Sequence, residues 1–303
     1  MANMPNRLKA ILLMCTAVTL FAALDTAAKY LCTTTAIPVS QIVWVRFAGQ
    51  VLCMALVLGP ATIPKLFKTK NLTLQLTRST LMLVTTICNF IAVTYLRLDQ
   101  TLSITFLTPL IVAALAVPLL GEHIGWHRAA AIFVGFLGVL VVVRPGVSTV
   151  HPAFIAAFLS TLAYSLLIIV TRRLSEFDTS LVTLFYGTVV GTIVSAPFAI
   201  SEWLWPDSIS MWVLLLALGA LGGGGHYLII QAYKHAPVSA VTPFLYFELI
   251  SMITLSYVVF GDQPDRWSFA GSLVIVMSGL YLIHRERIAH RESLMALEPL
   301  EQR

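Results

Sequence analysis

The sequence predicts an all-α, polytopic membrane protein: ten transmembrane helices arranged as two inverted five-helix repeats, to which a family resemblance given below adds a central cavity. Three observations lead to this fold class. The composition is strongly apolar, ten long apolar runs follow one another, and the ends of the two halves share the same residue spacing. The predicted divisions are residues 1–147 for the first repeat, 148–285 for the second, and 286–303 for a cytoplasmic tail.

The composition is that of a chain that lies mostly in lipid. Of 303 residues, 58% are hydrophobic and 11% are charged, whereas a soluble domain carries about 25% charged residues. Because no polar stretch is long enough for a catalytic or nucleic-acid-binding domain, the formal charge of +5 is assigned to loops and not to a nucleic-acid partner. The four cysteines lack C-x-x-C spacing, which predicts free thiols and neither metal nor cofactor.

Ten apolar runs approach the length needed to cross a bilayer. A helix rises ~1.5 Å per residue, so about 20 mainly apolar residues span the hydrocarbon layer. The first run is too long for a signal peptide and predicts a retained helix. The predicted spans are 10–31, 39–58, 74–96, 102–120, 129–143, 153–170, 181–200, 211–232, 238–260 and 267–283.

The positions of Lys and Arg predict the orientation. With a cytoplasmic N-terminus, three of these residues fall in outer loops (Arg97, Arg144 and Arg266), and Lys29 and Arg46 fall within spans. All the other Lys and Arg residues, Arg78 among them, are assigned to the cytoplasmic side. Since cytoplasmic loops carry the excess of basic residues, the pattern predicts a bacterial inner-membrane protein with both termini in the cytoplasm.

The ends of the two halves repeat one pattern. The first half contains Gly121-Glu122, Trp126, Gly138 and Arg144, and the second contains Gly261-Asp262, Trp267, Gly279 and Arg285. The step from Trp to Gly is 12 residues in both halves, and the step from Gly to Arg is 6. Because each unit has an odd number of helices, the second copy inserts upside down. Inverted repeats are typical of secondary transporters, whose site lies between the repeats near the middle of the membrane.

This order of motifs resembles the EamA branch of the drug/metabolite transporter superfamily. The resemblance covers residues 8–285 and implies a ten-helix basket with a central cavity, and substrates such as amino acids or other small metabolites, usually exported. In size and layout the chain is similar to the YddG-type aromatic amino-acid exporters. The second turn departs from the family in having Asp262 where Glu is more common. The residues that carry the resemblance are the two Gly–acid turns, Thr242-Pro243-Phe244, Tyr246, Glu248, Trp267, Gly271 and Ser278-Gly279.

Asp25 and Lys29 are four residues apart on the first predicted helix and therefore share a face. A charge within the membrane costs about 2.5–3.5 kcal/mol on insertion scales, so each needs a partner or a wet cavity. Two interpretations stay open. The residues form an intrahelical ion pair with Lys29 reaching the outer interface, or they face the cavity, where they bind a zwitterion or gate its outer mouth.

Two further charged groups are candidates for substrate binding. Arg46, in the second span, either counters Asp25 or attracts a substrate carboxylate. Glu248, predicted near the middle of the ninth helix, is protonated, hydrogen-bonded to a neighbour such as His226, or exposed to the cavity. In the functional interpretation it carries a coupled proton or receives a substrate amine, and in the other it makes only a structural hydrogen bond.

The remaining candidates are polar or aromatic. His226 follows four consecutive glycines, residues 222–225, which permit either close helix packing or a local break. Asn89 is a polar group of the third helix that needs a partner. If the substrate is aromatic, the resemblance places five rings in helices that line the cavity, although core or lipid contact is the alternative for each: Tyr95, Phe106, Tyr164, Tyr227 and Tyr246.

The sequence thus predicts a secondary transporter that exports small metabolites, foremost neutral and aromatic amino acids, by alternating access. Nucleobases or drugs are the alternative substrates. The chain lacks G-x-x-x-x-G-K-[ST], so it does not hydrolyse ATP itself. It also lacks H-E-x-x-H and G-x-S-x-G, which argues against an intramembrane enzyme. The sequence shows no obvious selectivity filter, which argues against a channel. The expected partners are a small-molecule substrate, the bilayer and, if Glu248 is coupled, a proton, with the oligomeric state left open.

Overall fold

The structure, a computed structural model, describes residues 4–301 except 60, 109, 113, 116–125, 145–150, 175, 236–241 and 264–265. Within these ranges, helices lie at all ten predicted spans. A single helical turn, Ile63–Leu66, precedes α3, and a 3-10 segment, Thr242–Tyr246, precedes α9. The helices are α1 (Met4–Thr34), α2 (Val39–Leu58), α3 (Leu72–Tyr95), α4 (Leu98–Thr105), α5 (Trp126–Val143), α6 (Ala153–Leu174), α7 (Ser180–Ser201), α8 (Ile209–His235), α9 (Phe247–Phe260) and α10 (Arg266–Glu301).

Length and composition support a multi-pass membrane fold. Six of the helices, α1, α2, α3, α6, α7 and α8, are long and apolar enough to cross a bilayer. Shorter apolar helices lie at the other four predicted spans, over Leu98–Val112, Ala129–Val143, Phe244–Phe260 and Arg266–Leu282. The prediction of an all-α polytopic fold is confirmed.

Helix packing follows a two-fold exchange of the halves. If α1–α5 are exchanged with α6–α10, several contacts between helices have counterparts. The α1–α8 contact corresponds to α6–α3, the α1–α9 contact to α6–α4, and the α2–α8 contact to α7–α3. All six of these contacts are present. The α2–α7 and α5–α10 contacts are converted into themselves. Such pairing is what two inverted copies of a five-helix unit produce, because the exchange reverses the direction of every helix.

The glycines that mark the repeat serve different contacts. A Cβ at Gly138 would lie 3.0 Å from the carbonyl oxygen of Gly271, so α5 and α10 cross with their backbones close together. A Cβ at Gly279, its counterpart, would meet the hydroxyl of Tyr246. Gly261 ends α9 in the left-handed conformation (φ 70°), which glycine adopts without strain. The Gly121-Glu122 turn lies outside the described residues.

Apolar side chains divide between an interior core and an exposed surface. The core around α1, α2 and α3 includes the fully buried rings of Phe47 and Phe90. Many large apolar side chains point outward instead, as expected of a surface that contacts lipid and not water. Among the most exposed are Leu56, Val57, Phe198, Ile209 and Val258.

Candidate functional site

Asp25 and Arg46 lie in the interior of the bundle, each held by a polar residue of α3. Nδ2 of Asn89 donates to Oδ1 of Asp25 at 3.0 Å, and Nη1 of Arg46 donates to Oγ1 of Thr86 at 2.8 Å. The two side chains attract one another electrostatically, although they do not form a close ion pair. Asn89 thus has the partner that the sequence required, and the countercharge interpretation of Arg46 is compatible with its surroundings.

The guanidinium of Arg46 is almost fully buried, at 6% exposure. It lies over the rings of Phe47 and Phe90, 4.9 Å and 5.9 Å from their centroids, contacts that favour a desolvated cation. Its Nε has no hydrogen-bond partner among the described residues. Gly222 of α8 packs beside it, since a Cβ there would lie at ordinary contact distance, 3.7 Å, from Nε.

The glycine-rich part of α8 packs closely against α1 and α2. The helix is continuous through residues 222–225, so the local break considered from the sequence is not formed. A Cβ at Gly225 would lie 2.6 Å from the ring of Phe21, and one at Gly223 would lie 3.3 Å from Cγ of Gln50. His226 follows this stretch and meets Phe21 edge-on, with centroids 5.0 Å apart. Close packing is therefore the role that the structure gives these glycines.

Glu248 lies in the first turn of α9, and the prediction of a mid-helix position is corrected. The preceding residues form a 3-10 segment that contains Pro243, whose missing N–H cannot contribute to an α-helix. One turn later, Oγ of Ser251 is hydrogen-bonded to Oγ1 of Thr19 in α1 at 3.0 Å. Within the described ranges Glu248 has no hydrogen bond, so the bond to His226 considered from the sequence is not formed.

Asp25 and Glu248 bring two carboxyl groups into one electrostatic neighbourhood. The charge of Asp25 acts on Glu248 as well as on Arg46, and the charge of Arg46 acts on His226. These four side chains come from α1, α2, α8 and α9. They form the interior charged cluster, to which each half of the chain contributes two helices.

Three of the predicted aromatic residues lie inside the bundle. Phe106 and Tyr246 meet edge-on, with centroids 5.0 Å apart, and Tyr164 packs against the core of α1, α2 and α3. The structure does not bring Tyr95 inside, because its ring is 63% exposed and stacks on His151. Tyr227 likewise leaves half of its surface exposed.

Lys29 joins α1 to the loop after α9. Its Nζ lies 3.6 Å from Oδ2 of Asp262, donates to the carbonyl oxygen of Leu96 at 3.0 Å, and sits over the ring of Phe260. Of the two interpretations that the sequence left open, the intrahelical Asp25–Lys29 ion pair is therefore not formed. The four-residue spacing allowed it, but a carboxylate from the other half of the chain holds Lys29 at the end of the bundle.

Arg97 adds a second connection at the same end. Its Nε forms an ion pair with Oδ1 of Asp99 at 3.0 Å, and its Nη2 donates to the carbonyl oxygen of Gln263. Together with Lys29 and Asp262, these residues link α1, the start of α4 and the α9–α10 loop. We call the five residues the polar latch: Lys29, Arg97, Asp99, Asp262 and Gln263. In the predicted orientation, the polar latch lies at the outer end of the bundle.

Arg78 is a buried charged residue, although the distribution of basic residues in the sequence predicted a cytoplasmic position for it. It lies in the second turn of α3 at 5% exposure. Its Nε donates to Oγ1 of Thr171 at 2.9 Å, and its Nη1 donates to the carbonyl oxygen of Thr183 at 3.0 Å. The signal for it was present, because residue 78 falls inside the predicted span 74–96.

Asp178 closes the bundle at the end where α3 and α7 begin. It accepts hydrogen bonds from Nε2 of Gln75 and the backbone N–H of Lys70, both at 2.9 Å, and from the hydroxyl of Thr69. Partial burial opposes ionisation, but these hydrogen bonds outweigh it and hold the pKa of Asp178 below its usual range. The two ends of the bundle are thus tied by separate polar contacts, with the charged cluster between them.

Comparison with known proteins places this arrangement in a family. Residues 8–144 and 151–285 each match the EamA-like transporter family, and together they account for most of the chain. The chain belongs to the EamA-like transporter family. The two matches agree with the two repeats, and the prediction of a transporter and not an enzyme is confirmed at the level of the family.

Several curated transporters are similar in sequence to this EamA-like chain. The S-adenosylmethionine uptake transporter of Rickettsia prowazekii (strain Madrid E) is 29% identical over 184 residues, 61% of this chain and 62% of the relative, so the match covers less than two thirds of either protein. The pseudopaline exporter CntI of Pseudomonas aeruginosa (strain UCBPP-PA14) is 23% identical, covering 81% and 86%. The riboflavin transporter of Brucella anthropi is 23% identical, covering 88% and 95%.

A solved structure shares the fold of this EamA-like transporter. It superposes with a TM-score of 0.62 at 19% identity, covering 91% of this chain and 98% of that chain.

Asp25 gives a stability prediction for this EamA-like transporter. Asp25→Asn keeps an oxygen that accepts from Asn89 but removes the charge that attracts Arg46, so we expect a lower melting temperature in detergent. Asp25→Ala also removes the acceptor and should cost more, about 1–3 kcal/mol, because it leaves the half-buried amide donor of Asn89 unsatisfied. Thermal unfolding of the purified protein measures both. Melting temperatures equal to that of the wild type would show that Asp25 does not stabilise the fold.

The polar latch gives a second prediction. Asp262→Asn removes the countercharge of Lys29, and we expect it to lower the free energy of unfolding by about 1–2 kcal/mol. Amide hydrogen exchange should become faster at the ends of α3 and α9. Asp207→Asn is the matched control, because it neutralises an exposed acid at the same end. Equal exchange in the two variants would contradict the latch.

Proposed function

We propose that the protein is a secondary transporter that exports small zwitterionic metabolites, foremost neutral and aromatic amino acids, across the bacterial inner membrane. One observation carries this proposal: an interior cluster, with the buried Arg46 and the half-buried Asp25 and Glu248, holds both signs of charge at the interface of two inverted repeats. Inverted-repeat transporters bind substrate between their halves and alternate access by moving one half against the other. The cytoplasmic termini and the outer position of the polar latch are part of the same proposal.

The proposed binding mode uses the chemistry of the cluster. Arg46 offers a guanidinium to a substrate carboxylate, and Glu248 either receives a substrate amine or carries a coupled proton. Asn89 holds Asp25 in place, and His226 adds a polar group from α8. The rings of Phe106, Tyr164 and Tyr246, which pack inside the bundle, supply apolar area for an uncharged side chain. The pairing of charged and aromatic groups favours an amino acid over a nucleobase.

The names of the relatives support transport of small metabolites but differ in direction. The Pseudomonas relative is named an exporter and matches 81% of this chain, which supports export. Uptake of S-adenosylmethionine is the second candidate function, because four Rickettsia relatives carry that name. Neither substrate is assigned to this chain by those names.

Transport in proteoliposomes tests the proposal. Purified protein should give saturable movement of radiolabelled phenylalanine, and unlabelled leucine or tyrosine should compete with it. Labelled S-adenosylmethionine and riboflavin are assayed in parallel, and empty liposomes are the control. Saturable transport of S-adenosylmethionine without transport of any amino acid would support the second candidate. Non-saturating ion current would indicate a channel, and turnover of lipid or peptide would indicate an enzyme.

A further inference from the structure

We propose that Arg78 and Arg46 together form an anion-binding subsite that selects substrates carrying a carboxylate. The subsite rests on the proposed function and deepens it, because it names the substrate group that the interior recognises. It also assigns a specificity-determining role to Arg78, which the sequence placed with the cytoplasmic charges. The two residues lie on neighbouring helices of the first repeat, Arg46 in α2 and Arg78 in α3.

Both guanidinium groups are buried without a close ionic partner. Each side chain is more than nine-tenths buried, and across the part of the chain that the structure describes, no carboxylate lies within ion-pair distance of either. The bonds that they make are to neutral groups, the oxygens of Thr86, Thr171 and Thr183 and the sulfur of Met82. A buried cation is costly unless an anion compensates it, so two such groups in one interior call for a negative group from elsewhere.

The two charges act on the same region of the interior. Both arginines exert an electrostatic effect on His226 of α8, and Arg78 also interacts with Tyr164 of α6. Helices of both halves therefore face this positive region. Asp25 compensates only the Arg46 side of it, since its charge acts on Arg46 and Arg78 has no equivalent acid among the described residues.

A buried donor without a partner makes the region a candidate site, and two glycines pack beside the guanidinium groups. Nε of Arg46 is buried and unpartnered among the described residues. Gly187 of α7 lies against Arg78, where a Cβ would be 2.9 Å from Nη1, and Gly222 of α8 lies beside Arg46. A side chain at Gly187 would crowd the guanidinium of Arg78, whereas a Cβ at Gly222 would make only an ordinary contact with Arg46. A planar guanidinium with free donors suits the geometry of a carboxylate.

Arg78 also bridges α3, α6 and α7 through its hydrogen bonds, so a purely structural role must be separated from recognition. A structural role predicts that loss of Arg78 lowers stability and weakens all ligands equally. The anion subsite predicts a loss confined to ligands with a carboxylate. Isosteric pairs that differ only in carboxylate against amide distinguish these two outcomes.

The experiment measures ligand-induced thermal stabilisation of the purified protein in detergent. The probes are phenylalanine with phenylalaninamide, leucine with leucinamide, and 3-phenylpropionate with 3-phenylpropionamide. We expect wild-type protein to bind at least one carboxylate about tenfold or more tightly than its amide. Arg78→Gln should remove most of that preference and leave affinity for the amides within about twofold, and Arg78→Lys, which keeps the charge, should retain part of it.

Two further variants control for folding and for charge. Lys68→Gln removes a positive charge from an exposed loop near the start of α3 and should keep the full carboxylate preference. Gly187→Ala keeps Arg78 but crowds its guanidinium, and should reduce the preference if Arg78→Gln fails to fold. Equal affinity for acids and amides in the wild type, or a parallel loss of both in Arg78→Gln and Gly187→Ala, would overturn the subsite.

This readout is separate from transport. Saturable amino-acid transport without a carboxylate preference would leave the proposed function standing and overturn the subsite. A carboxylate preference that Arg78→Gln removes, in a protein that transports no amino acid, would support the subsite and reject the amino-acid proposal. If no carboxylate of the panel stabilises the wild-type protein, the subsite is rejected.

Discussion

Gly219→Ala is expected to lower the melting temperature of the purified protein by about 5 °C or more. A Cβ at this position of α8 would lie 2.5 Å from the carbonyl carbon of Gly49 and 2.6 Å from the backbone nitrogen of Gln50 in α2. Backbone atoms cannot rotate away as a side chain can, so the two helices must separate. Overpacking of a close contact costs about 1–3 kcal/mol, and this contact joins the two halves of the chain.

A matched glycine in the same helix controls for the intrinsic effect of alanine. A Cβ at Gly224 would meet only Cδ1 of Leu20, at 3.3 Å, which is the far end of a flexible side chain. Because alanine favours a helix more than glycine does, Gly224→Ala should leave the melting temperature nearly unchanged or slightly raised. Thermal unfolding followed by tryptophan fluorescence compares the two variants. Equal melting temperatures would contradict the close α2–α8 crossing.

The helices were predictable because a bilayer restricts the possible structures. A spanning segment must satisfy its backbone hydrogen bonds internally, so each long apolar run becomes a helix. The second span shows this well. Its predicted limits, 39–58, match the observed Val39–Leu58 because Pro38 and Gly59 bound the run. The repeat was predictable for a related reason, since two copies of one unit retain their spacing.

Partners of the polar residues were less predictable, because they come from distant parts of the chain. The spacing of Asp25 and Lys29 suggested a local pair, yet the carboxylate that contacts Lys29 is Asp262, far along the sequence. The partner of Asp25, Asn89, was known only as a polar residue in need of a bond. The hydropathy pattern indicates that polar groups within the spans need partners, but it does not predict which helices become neighbours.

The position of Glu248 was mispredicted for a local reason. The apolar run over 238–260 predicts one helix. The residues around Pro243 instead form a 3-10 segment, so the regular α-helix begins only at Phe247. The correction changes the chemistry of the site. A carboxylate in the first turn faces the positive end of the helix dipole, which attracts negative charge.

Glu248→Gln is expected to abolish the pH dependence of transport while leaving substrate binding within about twofold of the wild type. Glutamine has the shape of a protonated glutamic acid but cannot release a proton. If protonation of Glu248 drives the change of access, the variant is fixed in the protonated form at every pH. Uptake by wild-type proteoliposomes should vary about tenfold between mildly acidic and mildly alkaline buffer, and uptake by the variant should be flat.

The same variant distinguishes the two roles open to Glu248. Asp25 is the second carboxyl group of the cluster and acts electrostatically on Glu248, so a proton on Glu248 relieves repulsion that a substrate amine would also relieve. An amine receptor predicts the opposite result: Glu248→Gln would weaken binding of phenylalanine but not of 3-phenylpropionate, and the pH dependence would persist. Glu176→Gln, which neutralises an exposed loop acid, should change neither property. Persistent pH dependence with unaltered binding would exclude both roles and leave Glu248 a structural residue.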